Sequence, residues 1–347
     1  MISTPLRYLL LIAVFVCSLS LSAAAQEAMD WDKETVSMFA QLPVQDSGRI
    51  KPIDTYASFT LMQLNGRRTC KNPAGQKVRA IEWLMDCMFQ PDVAEQYRIF
   101  RVENSEVLSA VGMQPRKKRD NYSYRDLLPA REQLMTLGME FSEKEAKQRS
   151  PIEKETIALA INMRTFETLT AYALLTQKAF DVSAAPSLNT LFPVQKDVRL
   201  SELLRKGPQI VAAYQELEQD ASASNEELMA LTVFLNELEV LTGDATAMAL
   251  FPPPATAPTD SWLTLADLAM LAFSSTTMTH HFDLLAELEK LADAVGKPTA
   301  FKEQMEAFTG AVIEIAKSRG EYEKIPLEVT FYRSEERRVG KECATGC

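Results

Sequence analysis

Apolar residues at helical spacing run through this chain and leave little room for an extended sheet. Leu159, Met163, Phe166, Leu169 and Ala173 follow one another at intervals of 4, 3, 3 and 4, inside a helix predicted over residues 155–180. Leu228, Leu231, Leu235 and Leu238 repeat at 3, 4 and 3 behind Ser224-Asn225-Glu226-Glu227, a start signal. Phe301, Met305, Phe308, Val312 and Ile315 repeat at 4, 3, 4 and 3. Each interval returns the next apolar side chain to the same helical face. Thr264-x-x-Asp267 reads as a capping box opening an apolar helix through Phe273. The expected fold is therefore mainly α: irregular helical domains with at most a short strand or two, one of them within Tyr97–Val102. Stripes of this kind build a core rather than a cofactor box.

The two ends read differently from the rest. Arg7, an uncharged and mostly apolar run from Tyr8 to Leu21, and Ala23-Ala24-Ala25 predict a cleaved export signal over residues 1–25. A membrane anchor is the alternative, because the run nearly reaches the ~20 residues of a spanning helix. Either way the remainder is expected outside the cytoplasmic membrane. Cys17 follows Val16, where a lipoprotein site would carry a small residue. Residues 333–343, Arg-Ser-Glu-Glu-Arg-Arg-Val-Gly-Lys-Glu-Cys, match the codon-by-codon translation of a common sequencing adapter. Residues 333–347 are thus expected to be a non-native tail, with the natural reading frame continuing differently past Tyr332.

Composition is read on what remains. Residues 26–332 carry 32 Lys/Arg and 44 Asp/Glu, a net charge of −12. That argues against nucleic acid as the main partner, since phosphate backbones need a basic face. It would suit a basic partner. With 46% apolar residues the chain is too hydrophobic for disorder. Its two histidines, His280 and His281, are too few for a His-rich metal site. Cys70 and Cys87 remain from five cysteines, either as one disulfide or as two buried thiols. No Cys-x-x-Cys supports a redox role. Pro252-Pro253-Pro254 and Pro258 suggest a stiff linker over 251–260 between helical regions at 151–250 and 261–332, with a further region at 26–150. Gly207-Pro208 breaks another helical stretch, and Arg116-Lys117-Lys118-Arg119 reads as a solvated basic loop.

The most specific segment is Leu42-Pro43-Val44-Gln45-Asp46-Ser47-Gly48-Arg49-Ile50-Lys51-Pro52-Ile53-Asp54-Thr55-Tyr56-Ala57. Asp46-Ser47-Gly48 signals a turn, Asp54 lies in the first turn of a helix predicted to Leu64, and Gly66 closes that helix. The wording resembles the extracytoplasmic signature of CcsA-type, system II cytochrome c biogenesis proteins (haem lyases), often fused to a ResB-like partner. Leu64–Thr69, Ala80–Leu84, Val102–Leu108 and Tyr122–Leu127 extend the resemblance, which is most specific over residues 40–130. Trp262 and the approach from Glu323 to Tyr332 match loosely. The family's tryptophan-rich haem segment and its membrane histidines have no counterpart: only Trp31, Trp83 and Trp262 are present, and His280-His281 matches no family ligand.

The resemblance implies an exported domain of a cytochrome c assembly protein, without its own catalytic site or cofactor. Haem would belong to the membrane haem-lyase portion of the parent. The implied partners are that portion, a ResB-like subunit and apocytochrome c. Arg49, Lys51 and Asp54 are the candidate partner-binding residues, as an exposed turn. Their alternative role is structural, with Asp54 capping its helix and Arg49 in a salt bridge. The other readings are a free-standing secreted helical solute-binding or scaffold protein, and a carboxylate hydrolase for which no acid–base spacing stands out.

Overall fold

A computed structural model describes residues 30–193, 197–219, 225–257, 261–274 and 278–332. The export signal or anchor, Cys17, Ser224, Pro258 and the tail with Cys343 and Cys347 lie outside the described residues. The fold is mainly α, as the apolar spacing predicts. It begins with α1 (Lys33–Ala40), capped by the Asp32 carboxylate, which accepts from the N–H groups of Glu34 and Thr35. A hairpin of β1 (Pro43–Asp46) and β2 (Arg49–Pro52) follows. Its two-residue turn puts Ser47 at φ 53° and Gly48 at φ 76°. Positive φ at both positions matches the right-handed twist of the flanking strands, so the turn closes the hairpin tightly. α2 (Ile53–Asn65) leaves the hairpin directly and ends on Gly66 in the left-handed conformation.

β3 (Thr69–Lys71) pairs with β4 (Lys77–Arg79), and α3 (Ala80–Phe89) runs on from β4. After the single turn of α4 (Pro91–Ala94), β5 (Phe100–Val102) pairs with β6 (Asp120–Tyr122) across α5 (Glu106–Ala110). The expected strand within Tyr97–Val102 is thus present, as one half of a ladder. α6 (Tyr124–Leu127) and α7 (Arg131–Ser142) lead to α8 (Pro151–Gln177), the 27-residue helix on which much of the fold packs. α8 starts earlier than the predicted 155: Ser150 and Glu153 form a reciprocal capping box with Pro151 at the first helical position. It also stops earlier, because Phe180 belongs to β7 (Ala179–Asp181), paired with β8 (Asp197–Arg199). Leu159, Met163, Phe166, Leu169 and Ala173 are all buried, as their spacing predicts.

α9 (Pro186–Leu191) lies between β7 and β8, and α10 (Leu200–Arg205) follows β8. α11 (Gly207–Gln219) opens at the predicted break. A Cβ on Gly207 would lie 2.3 Å from the Ala272 carbonyl oxygen, so the backbones approach too closely there for a side chain. α12 (Asn225–Gly243), α13 (Leu265–Ala272), α14 (Thr279–Asp293) and α15 (Pro298–Ser318) complete the main set, before a last described helix over residues 325–332. The Thr264–Asp267 capping box opens α13 as expected.

One contiguous apolar core runs from Trp31 to Ile325 and draws on all three predicted regions. Where it is described, the proline segment is packed against the fold. Phe251 bridges to Leu263 by two backbone bonds of 3.1 and 2.9 Å, and Pro252 and Pro253 are buried. Proline offers a carbonyl but no N–H, so the segment's polar needs are met by a donor alone. Arg319 supplies it, donating to Ala257 O at 2.8 Å and Pro254 O at 3.4 Å while pairing with Glu321.

Candidate functional site

The hairpin that carries the resemblance is anchored on several sides. Gln45 N–H donates to Ala249 O at 3.0 Å, and Gln45 Oε1 accepts from Trp262 N at 3.1 Å. Arg49 Nη2 lies 2.5 Å from Glu328 Oε2 in the helix over 325–332, and Thr55 Oγ1 donates to the other oxygen at 3.0 Å. Lys51 Nζ lies 2.7 Å from Asp46 Oδ2 on the facing strand. Asp54 sits in the first turn of α2, where its charge opposes the helix dipole favourably. Arg49 and Lys51 are therefore engaged within the chain. Tyr56 OH donates to Ala247 O at 2.9 Å, and Tyr172 OH to Met248 O, fixing the segment that bridges to the hairpin at Ala249.

Cys70, on β3, and Cys87, on α3, are both free and buried, which is the two-thiol alternative. Burial, followed by the nearby Asp86 charge, pushes both thiols above their ordinary range. They are poor nucleophiles in consequence. Asp86 itself is buried and accepts from Trp31 Nε1 at 2.7 Å, from Tyr97 OH, and from Gln90 Nε2 at 3.4 Å. Burial raises its carboxyl to about 6 despite those bonds. His280 Nε2 approaches Pro252 O at 3.3 Å, whereas neither ring nitrogen of buried His281 has a partner. Burial and then the neighbouring His280 pull His281 down to about 4, so it is neutral near pH 7. Among the described residues no three His, Cys, Asp or Glu stand where they would hold a metal. No helix among them is long and apolar enough to cross a membrane.

A wide concavity lies at the other end of α2, between the β3–β4 and β5–β6 ladders. It has a volume of about 990 Å³ and is lined by Arg67, Lys71, Lys77, Arg98, Arg101 and Arg119. Local structure aims these cations at one space. Gly66 turns the chain at φ 70°, and a Cβ there would lie 2.6 Å from Arg101 Nη1, so the bare turn lets that guanidinium lie against it. Arg67 follows immediately. The register of β3 and β4 sets Lys71 directly opposite Lys77, and that of β5 and β6 sets Arg101 opposite Asn121. Glu103 pairs with Arg101 and, at 3.3 Å, with Arg119. Asp120, the one carboxylate in the lining, is 3.2 Å from Arg116. Among the described residues Arg67, Lys71, Lys77 and Arg98 have no carboxylate within 4.0 Å.

The sequence reading did not find this cavity. Its local sign is opposite to that of the chain. Between Arg67 and Arg119 stand eleven Lys/Arg against six Asp/Glu, within a sequence of net charge −10. That asymmetry was the available signal. The Arg116–Arg119 run, read as a solvated loop, divides its work. Arg116 lies over the Tyr122 ring at 4.1 Å, while Arg119 faces the cavity. Compared with known proteins, the chain matches no family model, no curated protein and no solved structure.

Proposed function

We propose that this chain is the exported domain of a cytochrome c assembly protein, acting as a positioning platform with no catalytic centre of its own. In this reading haem and its ligands belong to the parent's membrane haem-lyase portion. The domain would present that portion to a ResB-like partner and to apocytochrome c on the extracytoplasmic face. The observation that carries the reading is the place of the signature segment. Residues 42–57 form a hairpin and helix start whose Arg49 and Thr55 grip Glu328 of the helix over 325–332, and so join the two ends of the described chain. Exposed ion pairs of this kind add only about 0–1 kcal/mol to stability. Loosening them should disturb placement more than folding.

The test is the Arg49→Ala, Lys51→Ala double variant in the complete parent. Holocytochrome c yield, measured at equal protein abundance, should fall several-fold. An unchanged yield would remove the hairpin's role. Haem titration of this chain is the companion measurement: no stoichiometric Soret shift is expected, and a one-to-one complex would contradict the absence of a haem site.

A second reading, a free-standing exported solute-binding protein, is favoured by the cavity of about 990 Å³. The two part company at the gene. An uninterrupted reading frame past Tyr332 encodes membrane helices with a tryptophan-rich haem segment in the first reading, and a prompt stop in the second.

A further inference from the structure

We propose that the basic cavity between the β3–β4 and β5–β6 ladders is a binding site for a ligand carrying two or more phosphoryl groups. The inference is independent of the cytochrome c reading.

The arrangement is unfavourable without a counter-charge. Like charges directly opposite one another on paired strands repel, yet Lys71 faces Lys77 across a ladder of only three residue pairs. Arg67, Arg98, Arg101 and Arg119 add four more positive groups around the same space. Among the described residues Glu103 pairs with two of them, Asp120 is engaged by Arg116, and Asp126 acts on Arg98 from beyond ion-pair distance. A fold that breaks a local rule at one place usually does so for a site. The chain is otherwise acidic, so this concentration of cations is local and not a by-product of composition.

The chemistry favours phosphoryl groups over single carboxylates. A phosphomonoester brings about two negative charges and three acceptor oxygens to one point, whereas a carboxylate brings one charge and two oxygens. Guanidinium forks match phosphate oxygens two at a time, and Lys adds compact point charges beside them. Four arginines and two lysines spread around a concavity of this size suit two or three such groups on one ligand. No aromatic side chain lines the cavity. A single-stranded nucleic acid would find no stacking platform in it.

The phosphoryl groups can come from a soluble molecule or from a lipid headgroup. The exposed face of α2 carries Phe59 and Met62 toward Gly66 and Arg67, and the Arg68 guanidinium sits 5.4 Å from the Phe59 ring. An apolar strip therefore reaches the rim of the basic cavity. Both sources are tested with named probes.

Isothermal titration of the whole chain with pyrophosphate and with inositol hexakisphosphate tests the soluble source. Co-sedimentation with phosphatidylcholine vesicles containing cardiolipin tests the lipid source. Binding in at least one arm is expected, weakening as salt rises from about 50 to 200 mM because exposed charges are screened. The Lys71→Gln, Arg98→Gln double variant should weaken it by about tenfold or more, since neither cation has a carboxylate within 4.0 Å among the described residues. Lys290→Gln, at an exposed pair with Glu287 on α14, should leave it unchanged. Both cavity residues are exposed, so the double variant should retain the parent melting curve. Binding in neither arm, binding indifferent to the double variant, or tighter binding of mellitate (a hexacarboxylate) than of inositol hexakisphosphate would overturn the proposal.

Discussion

Substituting Asp86 by asparagine is expected to expose a loss of stability on acidification, at most about 3 kcal/mol between pH 6.5 and pH 4. In the parent protein two buried groups oppose one another over this range. His281 has its pKa lowered to about 4 from 6.5 by burial and by His280. The unfolded chain therefore binds the proton first as pH falls. The His281 contribution is full above pH 6.5 and is lost as pH drops toward 4. Asp86 works the other way. Its pKa is raised from 3.8 to about 6, so the folded chain holds the proton that the unfolded chain has released. Its contribution is full below pH 3.8 and is lost as pH rises through 6. The two slopes oppose one another, and Glu289, whose carboxyl burial also raises, adds to the Asp86 side, so the parent should show no steep loss of stability from pH 6.5 to 4.

Asp86→Asn removes one slope and leaves that of His281. His281→Leu removes the other, and its stability should rise on acidification down to about pH 4. Leu also relieves two buried ring nitrogens that have no partner. The double variant should keep only the slope of Glu289, a gentle rise on acidification. Urea unfolding at several pH values reads all four proteins. Carboxylates held low, such as Asp32 beside Thr35 and Asp126 capping α6, lose their contributions only below this window. Parallel profiles for the parent and Asp86→Asn would show that Asp86 does not titrate as described.

The helical stripes were legible because their period repeats over several turns. Phe301, Met305, Phe308 and Val312 are buried as their spacing requires, while Ile315 lies at the margin. Apart from the one expected within Tyr97–Val102, the strands were not, because three or four residues are too few for an alternation to register. Cys70 is buried between exposed or half-buried neighbours on β3, but one apolar residue is no pattern. The turn at Ser47-Gly48 was readable, and so was the helix that begins at Ile53 and is closed by Gly66. The hairpin partner was not, since nothing local distinguishes a turn that reverses the chain from one that merely bends it. The Ser150–Glu153 box at α8 was present in the sequence but masked by the stronger apolar pattern downstream. The Arg49–Glu328 pair spans 279 positions, and no single-sequence pattern reaches that far. The cavity failed for a related reason. Its cations are scattered from residue 67 to residue 119, and only the two ladders bring them together.

That one core serves regions far apart in sequence has its sharpest consequence at Phe301. Its ring centroid lies 4.9 Å from that of Trp31 and 5.2 Å from that of Phe89, with Phe89 also edge-on to Phe39 at 6.1 Å. α15 thus closes over α1 and α3 through one aromatic cluster. Phe301→Ala deletes a side chain that is 1% exposed, leaving a cavity beside Trp31 and Phe89 that close-packed neighbours fill poorly. The expected loss is about 3–5 kcal/mol, from transfer of the ring and from the void together. Phe331→Ala, at a residue 60% exposed, should change stability by no more than about 0.5 kcal/mol. The denaturant midpoint of Phe301→Ala should fall with its slope unchanged. Tryptophan fluorescence and far-UV circular dichroism should report the same midpoint, because Trp31, Trp83 and Trp262 are buried in the same core as the helices. If the fluorescence transition moved while the helical signal held its parent midpoint, α15 would be melting off a fold that stands without it. The contiguity of the core would then not amount to cooperativity.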